Sequence, residues 1–312
     1  AASVSLYPDG NCYYLKEALS AHLGVSQDNL IIGNGSDEII ELIAKAFLNE
    51  GEESIVADPT FSEYDFATKI MGGRTIVVPT KDLTHDLEAM LAAVTEKTKL
   101  VFICNPNNPT GTLLDKAAVD AFLDKLPESV ITVFDEAYYE YVTAENYPQT
   151  VEYVRAGRKV IVLRTFSKIY GLAGLRVGYG ISTPEIIGML HRVKEPFNVN
   201  LLAQAAAVAA LKDTDHLEKS RAVNEEGKKY LYQEFEKMGL FYQPTHANFI
   251  WVQVKADSQK VFAKLLRRGV IVRTGDIFGA PDVLRVTIGT PEQNKRFIAA
   301  LRDVLTEEGV IG

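Results

Sequence analysis

The neighbours of Lys168 in the sequence make it a candidate catalytic residue. It follows the apolar run "VIVL" (160–163), with Ser167 beside it and Arg176 shortly beyond. Most lysines are solvated surface charges, and on that interpretation Lys168 has no special role. A lysine held close to a bound small molecule can instead form a covalent bond with a carbonyl group. The residues that follow the other apolar runs decide between these interpretations.

Two further apolar runs also end in groups that could bind a ligand. "ITVF" (131–134) is followed by Asp135, with Tyr138 three residues beyond, and "LVFIC" (100–104) runs into "NPNNPTG". A buried carboxylate needs a cation or a strong donor, although helix capping would also explain Asp135. The prolines around Asn107 and Asn108 predict a rigid turn, and such a turn also fixes an amide side chain in space.

A fourth run, "LII" (30–32), leads into "GNGSDE" (33–38) at the start of a predicted helix. The free N–H groups of a helix N-terminus attract phosphate, which makes Ser36 and Asp37 candidates for an anion site. A capped helix after a turn explains the same letters. The segment is neither a Walker motif nor a complete G-x-G-x-x-G fingerprint.

The elements that position these groups are predicted from the same runs. Together with "SIVA" (54–57) and "TIVV" (75–78), they are typical of strands buried on both faces, and helical segments such as 36–51 separate them. This alternation predicts an α/β fold with a mostly parallel sheet and helices on both faces. Ligands bind at the carboxyl ends of such strands, where the groups above are expected to converge.

Beyond "VGYGIS" (177–182) the pattern changes to mainly helical and then returns to strands in "NFIWVQV", "VIVR" and "LRVTIG". We therefore predict three parts: an N-terminal segment (1–29) that packs with the smaller domain and a dimer partner, a large ligand-binding domain (30–229), and a smaller C-terminal α/β domain (230–312).

Composition excludes several classes of protein. A net charge of -8 without clustered Lys and Arg argues against nucleic-acid binding. The two cysteines, Cys12 and Cys104, form neither a disulfide framework nor a metal-ligand pattern, so a cytoplasmic protein without a metal is predicted. The sequence has no apolar window long enough for a membrane span.

Taken together, the strand ends offer an amine, a carboxylate, a phenol, an amide and a phosphate cradle. Pyridoxal phosphate needs this whole set: a lysine for its aldehyde, an acid to keep its pyridine nitrogen protonated, and donors for its ring oxygen and phosphate. Each group has an ordinary structural explanation. All of them occurring together in strand order favours the cofactor.

In their order and spacing, the motifs resemble those of the fold type I pyridoxal-phosphate-dependent aminotransferases. The resemblance extends over nearly the whole chain, through "YPDG", "GNGSDE", "DPTFSEY", "NPNNPTG", "DEAYYEY", "RTFSKIYGLAGLRVGY", "ANFI", "GVIVR" and "LRVTIG". It implies a seven-stranded, mostly parallel sheet. The family's N-terminal arm, with its Asn-Glu-Asn-Pro type motif, would lie upstream of residue 1.

The resemblance implies roles for the residues around the cofactor ring. Lys168 would be the Schiff-base lysine and would move a proton between the substrate α-carbon and the cofactor's C4' carbon. Asp135 would pair with the pyridine nitrogen, and Asn108 and Tyr138 would hold the ring oxygen. Phe61, in "DPTFSEY", would stack on the ring, although a buried aromatic is also ordinary core.

The resemblance also implies a phosphate site. Ser36 and Asp37 would contribute mainly backbone N–H groups, and Ser167 and Arg176 would contribute side chains. Tyr7, in "LYPDG", would reach the phosphate from the neighbouring subunit, which implies a homodimer with a shared active site.

Two arginines in apolar strands complete the implied site. Arg285 would hold the α-carboxylate of ordinary substrates and also serve the phosphorylated substrate, and Arg273 would be another ligand of the substrate phosphate. A guanidinium binds either anion through two parallel hydrogen bonds. Within the family, the motifs are most similar to those of members that convert L-histidinol phosphate and 2-oxoglutarate to imidazole-acetol phosphate and glutamate. Transamination of aromatic amino acids, or decarboxylation of threonine phosphate, are the alternatives.

Overall fold

The computed structural model describes residues 4–312 of the chain. Its α-helices are α1 Tyr13–Leu23, α2 Gly35–Phe47, α3 Glu63–Ile70, α4 Leu87–Ala92, α5 Lys116–Lys125, α6 Thr150–Arg155, α7 Pro184–Val193, α8 Leu201–Ala210, α9 Thr214–Lys237, α10 Ser258–Arg267 and α11 Pro291–Glu307. Its strands are β1 Leu30–Gly33, β2 Glu53–Asp58, β3 Arg74–Pro79, β4 Thr98–Cys104, β5 Ile131–Asp135, β6 Val160–Thr165, β7 Gly178–Ile181, β8 Tyr242–Gln243, β9 Phe249–Gln253, β10 Arg273–Thr274 and β11 Val283–Thr287.

Seven of these strands form one sheet in the order β1-β7-β6-β5-β4-β2-β3. All neighbouring pairs are parallel except those made by β7, which runs antiparallel to β1 and β6. The predicted seven-stranded, mostly parallel sheet is therefore confirmed. Strand β1 is antiparallel to β7 and therefore runs in the same direction as β6. Its carboxyl end lies at the same edge of the sheet as those of β4, β5 and β6.

Both faces of this sheet are covered, as the continuous apolar runs predicted. Alternate side chains of one strand reach opposite cores: Leu100 and Phe102 of β4 pack with α2, α3 and α7, whereas Val101 and Ile103 pack with α1, α4, α5, α6 and α8. The sheet is held rigidly from both sides, so its strand ends are fixed supports for a site.

The remaining strands form an antiparallel sheet in the order β10-β11-β9-β8, with α9, α10 and α11 packed on it around a separate core. The strand predicted at 270–273 is wrong in extent, since only Arg273–Thr274 is a strand. Val270 and Val272 pack against the core of the smaller sheet and Ile271 is 79% exposed, so the side chains alternate as in a strand, but the backbone of 270–272 does not pair with β11.

The predicted boundary at residue 230 falls inside the long helix α9, Thr214–Lys237. Helix α1 packs against α8 and β1. The packing of the N-terminal segment against a smaller domain and a dimer partner, and the division into domains, stay predictions; residues 1–3 of that segment lie outside the described residues. Within residues 4–312, none of the helices is long and apolar enough to cross a membrane.

Candidate active site

A cavity of about 120 Å³ lies at the carboxyl edge of the seven-stranded sheet. The loops after β1, β2, β4, β5 and β6 converge on it, as expected for parallel strands. Its lining contains every predicted cofactor-binding residue except Tyr7: Ser36, Asp37, Phe61, Asn108, Asp135, Tyr138, Ser167, Lys168 and Arg176, together with Cys104, Ala137 and Thr165.

Asp135 ends strand β5 and is 3% exposed. Its Oδ2 accepts a hydrogen bond of 2.7 Å from the Tyr64 hydroxyl, and its Oδ1 accepts one of 3.2 Å from the Ala137 N–H. Burial raises the pKa of the Asp135 carboxyl to about 6, and these two donors oppose that rise. The Lys168 amine adds a smaller opposing contribution, and none of the salt bridges among residues 4–312 involves this carboxylate, so its burial is not fully compensated.

Tyr64 is a site residue that the sequence analysis missed. It is fully buried on α3, with its ring stacked on Phe102 at a centroid distance of 4.8 Å, and this packing aims its hydroxyl at Asp135. The signal was the second aromatic residue of "FSEY": Tyr64 follows Phe61 closely in the chain, and the two rings meet edge-on with their centroids 5.7 Å apart.

The Lys168 amine lies 5.4 Å from the centroid of the Tyr138 ring. Burial lowers the pKa of this amine, and the nearby Arg285 guanidinium adds to the effect. A lysine with a lowered pKa loses its proton more readily, so more of it is present as the neutral amine that can act as a nucleophile or as a general base. This environment differs from that of a solvated surface lysine.

The N-terminus of α2 forms one wall of the cavity. The N-cap residue Asn34 makes no side-chain hydrogen bond to the helix, so the first-turn N–H groups, including that of Ser36, are left without a side-chain cap. Arg176 reaches across this turn, 2.9 Å from the Asp37 carboxylate and 3.4 Å from the Ser167 hydroxyl. A side chain at Gly35 would lie 2.5 Å from Arg176 Nη2, so the glycine makes room for the guanidinium.

Strand β11 of the smaller sheet also contributes to the site. Arg285 Nη1 donates a hydrogen bond of 2.5 Å to Asn108 Oδ1. The Arg285 guanidinium lies 4.9 Å from the Phe249 ring centroid, and that ring meets Tyr138 edge-on at 5.1 Å. The two sheets therefore meet at this cavity.

Arg285 has a second arginine directly opposite it. Arg273 of β10 is its partner in the antiparallel register, and like charges in opposed positions destabilise a sheet. Burial lowers the pKa of Arg285, with a further contribution from Arg273, and the buried Nε of Arg285 has no hydrogen-bond partner among residues 4–312. Both observations indicate a site that an anion would complete.

Tyr7 is the one predicted cofactor ligand that does not line the cavity. It is 83% exposed and packs on Phe197 of the same chain, with ring centroids 4.9 Å apart. Its predicted contact with a neighbouring subunit stays a prediction.

Comparison with known proteins identifies the family. The family model for aminotransferase class I and II matches residues 2–301. The chain belongs to this family. This aminotransferase is 66% identical to histidinol-phosphate aminotransferase of Moorella thermoacetica, over 97% of this chain and 78% of the relative. It is 49% identical to the Brevibacillus brevis enzyme of the same name, over 97% of this chain and 84% of the relative.

A solved structure is similar to this aminotransferase over most of both chains. The crystal structure of histidinol-phosphate aminotransferase from Sinorhizobium meliloti, in complex with pyridoxal-5'-phosphate, superimposes with a TM-score of 0.93 at 30% sequence identity. The superposition covers 98% of this chain and 84% of that chain. The resemblance read from the motifs is thereby confirmed.

The donor set of this aminotransferase fits pyridoxal phosphate. A buried carboxylate that forms no salt bridge among residues 4–312 suits a protonated pyridine nitrogen, and an amine of lowered pKa suits an aldehyde. The uncapped N-terminus of α2, with Arg176 across it, suits a phosphate group. These features line a single cavity, as one cofactor would require.

Proposed function

We propose that this aminotransferase uses pyridoxal 5'-phosphate to transfer the amino group of L-histidinol phosphate to 2-oxoglutarate, giving imidazole-acetol phosphate and glutamate. The observation that carries the substrate proposal is the pair of opposed arginines, Arg273 and Arg285, beside a cavity lined by Lys168 and Asp135. The name shared by the relatives described above supports the same substrate.

When bound, the cofactor supplies an electron-poor ring that stabilises negative charge at the substrate α-carbon. Asp135, as a carboxylate, keeps the ring nitrogen protonated, and Tyr64 holds that carboxylate in place. Asn108 and Tyr138 would hold the ring through its oxygen, and Phe61 would pack on its face, since all three line the same cavity. These residues would set the position of the ring and its electron demand.

The N-terminus of α2 would hold the phosphate of the cofactor in this proposal. The N–H groups of Ser36 and Asp37 would donate to it, and Ser167 and Arg176 would add side-chain donors. This cluster of donors would neutralise the phosphate charge and fix the cofactor in the cavity.

Lys168 acts as the base at the other end of the ring. Because burial and Arg285 lower its pKa, Nζ is available without its proton at a lower pH than a surface lysine would be. Its amine would act as the general base that removes the proton from the substrate α-carbon, and the resulting ammonium would return that proton to the bound cofactor. The two half-reactions use the same site, so the kinetics are ping-pong.

Arg273 and Arg285 select the substrate. Arg285 is partly buried and points at Asn108, which suits the anionic group nearest the reacting carbon: the α-carboxylate of glutamate in one half-reaction and the phosphate of histidinol phosphate in the other. Arg273 is exposed at the edge of the same sheet, within reach of a more distal group. A phosphorylated substrate offers two negative charges there and offsets the repulsion between the opposed arginines.

The protein is further proposed to act as a cytoplasmic homodimer with a shared site, built from the large and small domains predicted above. Support for the dimer comes from the N-terminal segment, which exposes large apolar side chains: Val4, Leu6 and Tyr14 are each about 70% exposed, and Tyr7 more so. Exposed apolar clusters of this kind are typical of protein contacts. Tyr7 would then complete the phosphate site of the partner.

The proposal is tested by comparing three substrates. Histidinol phosphate, phenylalanine and threonine phosphate are each offered to the cofactor-loaded enzyme, and the spectral change of the bound cofactor is followed. We expect the highest kcat/KM with histidinol phosphate. A higher kcat/KM with phenylalanine would reassign the enzyme to aromatic amino acids, and carbon dioxide release from threonine phosphate would reassign the reaction.

A further inference from the structure

A buried polar network lies next to the candidate cavity and is centred on Glu136 and Arg164. Their side chains are 0% and 5% exposed. Glu136 directly follows Asp135 in the chain, and Arg164 precedes Lys168 by one short polar stretch. Because side chains alternate along a strand, Asp135 and Thr165 line the cavity, whereas Glu136 and Arg164 do not.

Both carboxylate oxygens of Glu136 and two of the guanidinium nitrogens of Arg164 have partners. Arg164 donates from both Nε and Nη2 to Glu136 Oε2, each at 2.9 Å. Glu136 Oε1 accepts a hydrogen bond of 2.7 Å from Thr150 and lies 3.2 Å from the Tyr147 hydroxyl. The ring of Tyr139 lies against the guanidinium, 3.4 Å from its central carbon. The two side chains are therefore held in one arrangement.

The network also reaches a third strand. The Tyr147 hydroxyl donates a hydrogen bond of 2.5 Å to the Asn105 carbonyl, which follows β4. The Asn105 N–H donates in turn to the Asp135 carbonyl at 2.9 Å. Strands β4, β5 and β6 are thus joined beside the loops that carry the amide, the carboxylate and the lysine of the site.

Stability alone does not explain a buried ion pair. The cost of removing both charges from water is comparable to their attraction, and an apolar pair of similar volume is often no less stable. A guanidinium fork and a carboxylate instead fix direction as well as distance. We propose that Glu136 and Arg164 are positioning residues that set the spacing between the Lys168 amine and the Asp135 carboxylate, an inference that rests on the proposed cofactor.

The test is Arg164→Lys, which keeps the positive charge but loses the fork and the flat face against Tyr139. The matched control is Arg158→Lys, because Arg158 pairs with Asp124 at the opposite end of β6 and is exposed. Three quantities are measured on the full chain: the dissociation constant of pyridoxal phosphate, the pH midpoint of its visible absorbance band, and kcat and KM for histidinol phosphate.

We expect Arg164→Lys to weaken cofactor binding and lower kcat by roughly tenfold each, since misplacements of about 1 Å can cost up to about a hundredfold. The pH midpoint of the absorbance band shifts as well, while KM changes little and Arg158→Lys matches the wild type. A variant that loses only thermal stability, with cofactor affinity and band unchanged, would overturn the proposal. So would equal changes in the control.

A second variant covers the case in which Arg164→Lys does not fold. Tyr139→Leu keeps the ion pair and removes the ring beside it, and we expect smaller shifts in the same direction. Unchanged cofactor affinity and band in this folded variant would overturn the positioning role. If the wild-type protein itself bound no pyridoxal phosphate, the proposed function would fail instead, so the two failures are distinguishable.

Discussion

The two sheets contribute to the candidate site in different ways. The seven-stranded sheet brings together unlike groups, because parallel strands end at one edge and each delivers the residue that follows it. The four-stranded antiparallel sheet delivers two like groups, Arg273 and Arg285, because its register places them opposite each other. Chemical diversity is therefore expected from the first sheet and anion selectivity from the second.

Replacing Lys168 should give the largest effect, because it removes the reactive group of the parallel sheet. We expect Lys168→Ala to lower the transamination rate by a factor of roughly 10⁴ or more, as for other covalent catalysts. Lys159→Ala, exposed before the same strand, is the matched control and should retain full activity. A variant at position 168 that still binds the cofactor in a form reducible by borohydride at another lysine would contradict the assignment.

The next largest effect comes from replacing Asp135, which should weaken cofactor binding but stabilise the cofactor-free protein. We expect Asp135→Asn to weaken pyridoxal phosphate binding strongly, since an amide cannot hold a proton on the ring nitrogen. The cofactor-free variant should be more stable than the wild type by about 3 kcal/mol at pH 8, because it no longer buries a charge whose pKa is raised from 3.8 to about 6.

The pH dependence of that stability gain follows from the direction of the shift. A carboxyl with a raised folded pKa destabilises the fold above that pKa, and the penalty disappears as the pH falls from about 6 towards 3.8. Urea unfolding of both cofactor-free proteins at pH 8 and at pH 4 measures the difference. An equal difference at both pH values would show that burial of the Asp135 charge is not its cause.

Arg273 tests the contribution of the antiparallel sheet. We expect Arg273→Gln to raise KM for histidinol phosphate by about 10- to 100-fold, corresponding to about 1.5–3 kcal/mol for a charged hydrogen bond. KM for glutamate, which has no phosphate, should change by less. Arg267→Gln, exposed on α10, is the control. Equal losses for both substrates would place Arg273 at the carboxylate rather than at the phosphate.

The smallest predicted effect comes from Tyr64. Tyr64→Phe removes the 2.7 Å hydrogen bond to Asp135 while keeping the packed ring, at a cost of about 1 kcal/mol. Because this bond favours the ionised carboxylate, the pKa of Asp135 rises further, and cofactor binding weakens at a higher pH than in the wild type. The dissociation constant measured between pH 5 and pH 8 reports the shift. An unchanged midpoint would show that Tyr64 serves only packing.

Local sequence was most informative about site residues that directly follow a predicted strand. Lys168, Asp135 and Asn108 could be placed at one cavity, because an apolar run predicts a strand and the polar residues after it then lie at the edge of the sheet. The same reasoning failed at 270–273, where Val270 and Val272 pack on a core but only Arg273 and Thr274 pair with β11, because backbone pairing depends on a partner strand and not on apolar letters. It also missed Tyr64 and the pair of Glu136 and Arg164, because their roles depend on contacts between distant elements.

The sequence by itself determined the fold class, the family and the chemical types gathered at the parallel edge. These follow from hydrophobic periodicity and from motif order, which are properties of the chain read residue by residue. Only the tertiary structure decided that Arg285 contacts Asn108, that Arg273 lies opposite it, and that a buried ion pair supports the strand ends. Those facts depend on the register and packing of separate elements, which are set by the whole core and not by any local pattern.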